Sequence, residues 1–421
     1  MTANAAATIS SGHARRATIF ALLAVFLDVS GLGLILPVLP TLIEGVGHVG
    51  LDEAARLGGW MFAAFSLAQF LCAPLMGALS DRFGRRPLLL LAISGLAVDY
   101  VLHALAPTLA WLFVGRVIAG VCGSSYVIAN ACLADISPPE KRAKAFGLMA
   151  AAFGLGFVLG PALGGLLGSF GPRVPFWCAA VLAGANFLFG LFALPETLPI
   201  GKRRTFRWRE ANPLGALIVF RRFPGVLPLG AVLVLYFFGT SIYVAIWSFW
   251  GIAKFGWSEA MVGLTLAASG LGMSLLQGLA TGPAVTRWGE WRLTEIGLLV
   301  GILCCLAYGL VTTTTIVILL LIVHAAEGFV HPMLTALMSR AVPENAQGAL
   351  QGGISALMNL SLLAGTLFFS QAFGFFLSED APLRSPDISY FIAAAVLAAS
   401  LVLFTRLAQK SAFRSAHPPR E

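Results

Sequence analysis

From one end of this chain to the other, apolar stretches about twenty residues long recur, and short loops between them hold the charges. Crossing roughly 30 Å of hydrocarbon takes about 20 residues of helix, and in lipid every backbone polar group must be satisfied within the segment. A bundle of membrane-spanning helices meets both demands. Composition agrees: 58% of the 421 residues are apolar and 11% charged, where soluble domains carry roughly 25% charged residues. The pattern predicts twelve helices, over residues 17–43, 58–79, 88–106, 109–133, 144–168, 174–194, 227–252, 260–282, 293–312, 315–339, 349–374 and 388–408. The fold class is an all-α membrane protein.

The most polar internal stretch, with Lys202, Arg203, Arg204, Arg207, Arg209, Glu210, Arg221 and Arg222, divides six helices from six. The expected organisation is an amino-terminal six-helix bundle (1–195), a solvated cytoplasmic linker (196–224) and a carboxy-terminal six-helix bundle (225–421). An even number of spans puts both termini on one side. That side collects Arg15, Arg16, Arg82, Arg85, Arg86, Lys141, Arg142, Lys144, the linker, Arg287, Arg292 and Arg340, against Arg56, Arg173, Lys254 and Arg384 opposite. The bias of basic residues toward the cytoplasm makes that side cytoplasmic. The net charge of +8 is thus an orientation signal and not a nucleic-acid footprint. The stretch Met1 to His13 is polar and the first apolar segment is too long for a signal-peptide core, so no cleaved leader is expected. The six cysteines lie inside apolar segments and read as reduced packing residues; no cofactor is expected. No G-x-x-x-x-G-K-[ST] loop occurs, which disfavours ATP-driven transport by this chain alone.

Between helices two and three, Gly77, Asp81, Arg82, Gly84, Arg85 and Arg86 put a small residue, an acid and three cations into one turn. Gly77 would admit a close neighbouring helix, and Asp81 can pair with the arginines as a latch that re-forms in each cycle; the alternative is that the arginines serve topology alone. The loop after helix eight echoes it with Gly282, Arg287 and Gly289, but Thr286 stands where the acid would be. The first loop resembles the signature of the major facilitator superfamily. In helix five, Gly156, Gly160 and Gly164 recur at four-residue spacing beside Pro161 and Gly165. This G-x-x-x-G-P-x-x-G-G pattern is similar to that of the superfamily's antiporter branch, although helix packing alone also asks for small residues.

Asp28, Gly31, Gly33, Pro37 and Pro40 in helix one resemble the bacterial tetracycline/proton antiporters. So do Asp99 with Tyr100, Gly115 with Arg116, Leu133 with Asp135, Asn212 with Pro213, Arg287 to Glu290, and Gly348 to Gly352. At about 1.5 Å per residue, Asp28 lies roughly 18 Å from Arg16 and Asp99 roughly 18 Å from Pro87, near the bilayer midplane. An acid at that depth persists when paired, hydrated or protonated. The resemblance implies that Asp28 and Asp99 are coupling or substrate-binding carboxylates; a structural hydrogen bond is the alternative. Arg116 reads as a partner for an acid or as a snorkelling cation. Asp135, at the cytoplasmic end of helix four, reads as support for the gating loop.

Many tetracycline antiporters carry a histidine in helix eight and an aspartate in helix nine, where this chain has Met273 and Gly301. Helix ten instead holds His324, Glu327 and His331, expected on one helical face. The trio reads as a proton relay or cationic-substrate site, as packing hydrogen bonds, or as metal ligands. Gln69, Asn130, Trp247 and Gln277 are further candidates for the cavity wall. The expected function is a monomeric, proton-coupled antiporter of the bacterial inner membrane, with no enzymatic activity, exporting a small amphipathic or cationic compound such as a tetracycline-like drug. Its partners would be that substrate, protons and the lipid bilayer. The alternatives are a transporter of a metabolite or metal chelate using the helix-ten site, and a membrane sensor without transport.

Overall fold

A computed structural model of the protein describes residues 11–123, 125–138, 141–206, 212–223 and 225–409. Eleven of its helices are long and apolar enough to cross a membrane. One of them, Glu259–Leu310, is two spans, because Gly289 (φ 73°, ψ 165°) leaves the helical region and turns the chain back. Twelve spans result. In chain order, helices one to six begin as Ser11–Ile35, Leu51–Phe83, Arg85–Leu105, Leu109–Ile136, Arg142–Gly168 and Val174–Ala193. Helix seven is Leu227–Phe255, helices eight and nine divide Glu259–Leu310 at Gly289, and helices ten to twelve are Thr314–Arg340, Gln347–Leu377 and Ile388–Gln409.

Three boundaries depart from the sequence reading for stated reasons. Helix one stops at Ile35, because Pro37 and Pro40 interrupt the 17–43 stretch, and a separate short helix Leu39–Gly47 follows. Helix ten is broken: an α-helix Thr314–His324, a tighter three-residue-per-turn segment Ala325–Phe329, then Val330–Arg340. The linker is also more than solvated coil, since Val219 and Phe220 in the short helix Ile218–Arg222 are buried and Phe220 packs on Gly230 of helix seven. The linker charges Arg207, Arg209 and Glu210 lie outside the described residues.

Among helices one to six, one packs on five, two on four and three on six; among seven to twelve, seven packs on eleven and twelve, and nine on twelve. The two sets meet through helix five against eight and helix two against eleven. The glycine face of helix five is used on both sides. A side-chain carbon on Gly156 or Gly160 would stand 2.8 or 2.6 Å from the carbonyl oxygens of Phe26 and Ser30 in helix one, while Gly165 lies against Gly263 of helix eight. Helix five runs through Pro161 without a break.

Polar contacts between the two sets gather at the end remote from the termini. Arg56 donates to the Gly374 carbonyl (3.0 Å), Gln371 to the Arg56 carbonyl (3.0 Å) and Ser248 to the Leu36 carbonyl (2.8 Å). At the other end, Gly147, Gly278, Gly282 and Gly348 face open space.

Candidate functional site

Buried polar side chains collect where the third and fourth helices of each set cross, and again on helix one. In the first set, Asp99 (0% exposed) comes from helix three and Arg116 (5%) from helix four. Arg116 Nη2 donates to Asp99 Oδ2 at 3.1 Å. The Nε of the same guanidinium donates to His103 Nε2 at 3.0 Å. Because a guanidinium only donates, that ring nitrogen must accept, and the imidazole proton sits on Nδ1. His103 Nδ1 lies 2.9 Å from both the Asp99 carbonyl oxygen and Asp99 Oδ1. Its N–H is directed at the carbonyl, so Oδ1 receives an electrostatic contact and no directed hydrogen bond. Phe176 stacks on the imidazole at 5.2 Å, and Gly115 clears the space both rings and carboxylate need: a carbon there would stand 2.7 Å from Asp99 Oδ1. The sequence reading named Asp99 and Arg116 but missed His103, whose signal was its four-residue spacing from Asp99 on one helix face.

The second set builds a different knot at the matching level. From Gly84 to His103 is the same span as from Gly289 to Tyr308, and Arg116 with Gly120 repeats as His324 with Gly328. Tyr308 and His324 accordingly meet, hydroxyl to Nδ1, at 3.1 Å. His324 Nε2 lies 2.7 Å from Glu327 Oε2, which also accepts from the Tyr243 hydroxyl of helix seven at 3.4 Å. Glu327 is 1% exposed, and its Oε1 has no hydrogen-bond partner. The carboxyl group lies against Gly301 of helix nine, where an added carbon would stand 3.1 Å from Glu327 Cδ.

The break in helix ten makes this possible. The carbonyls of Glu327 and Gly328 take donors from outside the helix, Tyr236 hydroxyl (3.5 Å) and Gln277 Nε2 (3.3 Å). Such outside donors are what irregular backbone at membrane depth requires. Gln277 sits where helix eight itself widens, in Leu276–Ala280. Gln69 does the equivalent in the first set, donating to the Gly123 carbonyl (3.3 Å) at the end of the Leu109–Cys122 segment. The same break removes His331 from the expected trio. Five residues wound at three per turn shift the phase, so His331 packs edge-on to Phe237 at 5.2 Å while His324 and Glu327 bond to each other. Among the described residues, no three His, Cys, Asp or Glu side chains converge on a metal position.

On helix one, Asp28 Oδ2 accepts a short hydrogen bond from the Ser125 hydroxyl of helix four. Tyr100 lies beside Gly31, one turn further along. Of the other cavity candidates, Trp247 is buried and donates to Thr265 (3.0 Å) inside an aromatic cluster with Trp250, Trp257 and Tyr308, which makes it core. Asn130 donates to the Tyr126 carbonyl of its own helix.

At the loop between helices two and three, Arg85 is buried and carries the load expected of the whole cluster. It pairs with Asp81 (2.6 Å) and Asp135 (3.0 Å) and donates to Ser80 (2.7 Å). Its backbone N–H donates to Glu196 (2.9 Å), a carboxylate packed so closely on Gly84 (φ 107°) that no side chain fits there. Arg86 donates to the Leu191 carbonyl, while Arg82 lies over the Phe83 ring. Gly77 has no close neighbour of the kind expected, as a carbon added there would come no nearer than 3.8 Å to Val127.

Comparison with known proteins fits this geometry. The sequence matches the Major Facilitator Superfamily over residues 21–366 and again over 229–419. The class C tetracycline resistance protein of Escherichia coli is 40% identical over 346 residues, 82% of this chain and 86% of that protein. The class G protein of Vibrio anguillarum is 37% identical over 361 residues, 85% and 90% of the two chains. Among solved structures, the human organic anion transporter MFSD10 (TETRAN) is 27% identical with a TM-score of 0.68, covering 93% of this chain and 99% of its own. The nucleoside transporter NupG, at 15% identity and TM-score 0.77, shares the fold over 93% of this chain and 99% of its own. Twelve spans in two sets, an ion-paired cluster between the second and third, and relatives that align over more than four-fifths of its length make this chain a multi-pass transporter of the Major Facilitator Superfamily.

Proposed function

We propose that the protein is a proton-coupled antiporter that exports a small amphipathic or cationic compound of the tetracycline type across a bacterial inner membrane, both termini cytoplasmic, acting as a monomer. The bundles 1–195 and 225–421 rock about the substrate path, and the linker 196–224 joins them. The names of the tetracycline resistance proteins support the substrate class. One observation carries the coupling: Glu327 is buried with a free carboxylate oxygen and a histidine as its charge partner. His324 can exchange a proton with it in either direction. With Glu327 ionised, the Tyr308 hydroxyl donates to Nδ1 and Nε2–H donates to the carboxylate. With Glu327 protonated, its hydroxyl donates to Nε2, the ring proton moves to Nδ1, and Tyr308 accepts. Asp28, held by Ser125, is the second carrier. Asp81, Arg85 and Asp135 form the latch that breaks and re-forms as the bundles move.

In everted vesicles with an established proton gradient, adding a transported tetracycline releases stored protons. Glu327→Gln and Asp28→Asn each lower that release by about 100-fold or more, in keeping with the loss of a proton-transfer group. Normal release in either variant removes that residue from the coupling scheme. A metal-chelate site on the helix-ten trio is disfavoured by the outward turn of His331 toward Phe237.

A further inference from the structure

Asp28 has a second environment that its bond to Ser125 does not explain. On the side of helix one that faces helices three and six, it lines an apolar crevice together with Ser30 and Asn186. The Ser30 hydroxyl is 95% buried by its residue exposure of 5% and has no hydrogen-bond partner. Asn186 of helix six is 6% exposed, and its amide hydrogen-bonds no other described residue. Ser125 engages Asp28 through Oδ2, and among the described residues no hydrogen bond is directed at Oδ1. An orphaned buried hydroxyl costs about 1–3 kcal/mol, and Asp28 and Asn186 in the same crevice supply further polar partners for a molecule that would satisfy Ser30. The rest of the wall is apolar, including Ile93, Leu96 and Leu182.

The size of the crevice identifies the partner. Its cavity volume is about 20 Å³. A water needs about 10–15 Å³ on this measure and two to four polar partners, whereas drug-sized ligands occupy pockets of roughly 300–1,000 Å³. We propose that this crevice is an internal water site, in which one or two molecules bridge Asp28, Ser30 and Asn186 and hydrate the carboxylate from within the first bundle. The site belongs wholly to helices one, three and six, so it stays with Asp28 while the cleft between the bundles opens and closes. A water both donates and accepts, which lets Asp28 keep a hydrogen bond in either protonation state while Ser125 holds the other oxygen. The role of this water in proton exchange rests on the coupling role proposed for Asp28; its presence does not.

Difference infrared spectroscopy on the full chain reconstituted in lipid tests the site. Wild type is expected to show a water O–H stretch that shifts in isotope-labelled water, together with a carboxyl band that Asp28→Asn removes. Asn186→Leu fills the crevice: the water band disappears, the Asp28 carboxyl band rises in frequency as it loses a hydrogen bond, and proton-driven transport slows by about tenfold, the equivalent of one hydrogen bond. Asn186→Ser keeps a hydroxyl and room for water, and retains both bands and most of the transport. If Asn186→Leu does not insert, Ser30→Val fills the same space and is read by the same bands. Water and carboxyl bands unchanged by the filling variants overturn the proposal. Loss of the water band on filling, with coupling intact in Asp28→Asn, leaves the water site standing and removes Asp28 from the coupling scheme.

Discussion

The buried knots on helices three and four and on helices nine and ten occupy matching places in the two sets and solve the same problem in opposite ways. In the first, the acid faces a permanent cation. Arg116 holds Asp99 and, through its Nε, sets the His103 proton on Nδ1. In the second, the counterpart of Arg116 is His324, the counterpart of His103 is Tyr308, and the acid has moved onto helix ten as Glu327, facing Gly301. Every partner there can either give or accept a proton. An imidazole whose nitrogen accepts from a guanidinium is held in one tautomer, whereas an imidazole between a phenol and a carboxyl group has the partners that a proton relay needs. One histidine in each knot therefore serves a different end, and the neighbour that decides it is arginine in one case and glutamate in the other.

The sharpest way to break this contrast is to remove each charge partner and measure stability. Arg116→Leu leaves the Asp99 carboxyl group buried without its guanidinium partner, and is expected to cost about 3–5 kcal/mol. It should appear as a large drop in the unfolding midpoint in detergent and in the amount inserted. Glu327→Gln removes a charge that has no fixed cation and keeps acceptors for Tyr243 and His324, so its stability should stay within about 1 kcal/mol of wild type while coupling is lost. Equal stability losses in the two variants would erase the distinction between the held imidazole and the relay.

The two glycines beneath the knots sharpen it further. Gly115 faces a ring and a carboxylate that are each pinned by Arg116, so Gly115→Ala has to displace a rigid group and should cost about 1–3 kcal/mol. Gly301 faces only the end of the Glu327 side chain, at 3.1 Å, whereas a carbon added at Gly115 would run into the His103 ring. Gly301→Ala should therefore cost less, under about 1 kcal/mol by the same overpacking comparison, and lower the transport rate more than it lowers the unfolding midpoint. A larger stability loss at Gly301 than at Gly115 would mean that the second knot is the rigid one.

The sequence carried the twelve spans because hydrocarbon thickness acts on each helix separately, and apolar length alone reports it. The latch acid, Arg85 and Asp135 were legible for a similar reason, as a dense charge cluster in a loop that has few other uses. His103 was legible in principle from its spacing to Asp99, but its meaning comes from Arg116 on another helix. Ser125, Tyr243 and Tyr308 belong to contacts between helices distant in sequence, and no local pattern marks them. Glu196 carries no mark in the sequence, because what distinguishes it is a bond to the Arg85 backbone N–H more than a hundred residues away. The helix-ten trio failed for a geometric reason. Its spacing assumes 3.6 residues per turn, whereas the Ala325–Phe329 segment winds more tightly, with Tyr236 and Gln277 donating to the carbonyls of Glu327 and Gly328.

That failure leads to the smallest of the expected effects. His331 touches Phe237 edge-on, is partly exposed, and has no part in the His324–Glu327 bond. His331→Ala gives up an aromatic contact of about 0.5–1.5 kcal/mol, and transport in everted vesicles should stay within about twofold of wild type, since a loss under about 0.4 kcal/mol in the transition state corresponds to that factor. His324→Ala, three residues from Glu327 on the other side of the break, should by contrast lose proton release as Glu327→Gln does. If His331→Ala also abolished release, the three side chains would act together in another state of the cycle, and helix ten would have to rewind through 325–329 as the bundles rock. The same measurement therefore tests whether the break in helix ten is a fixed part of the relay or one of its moving parts.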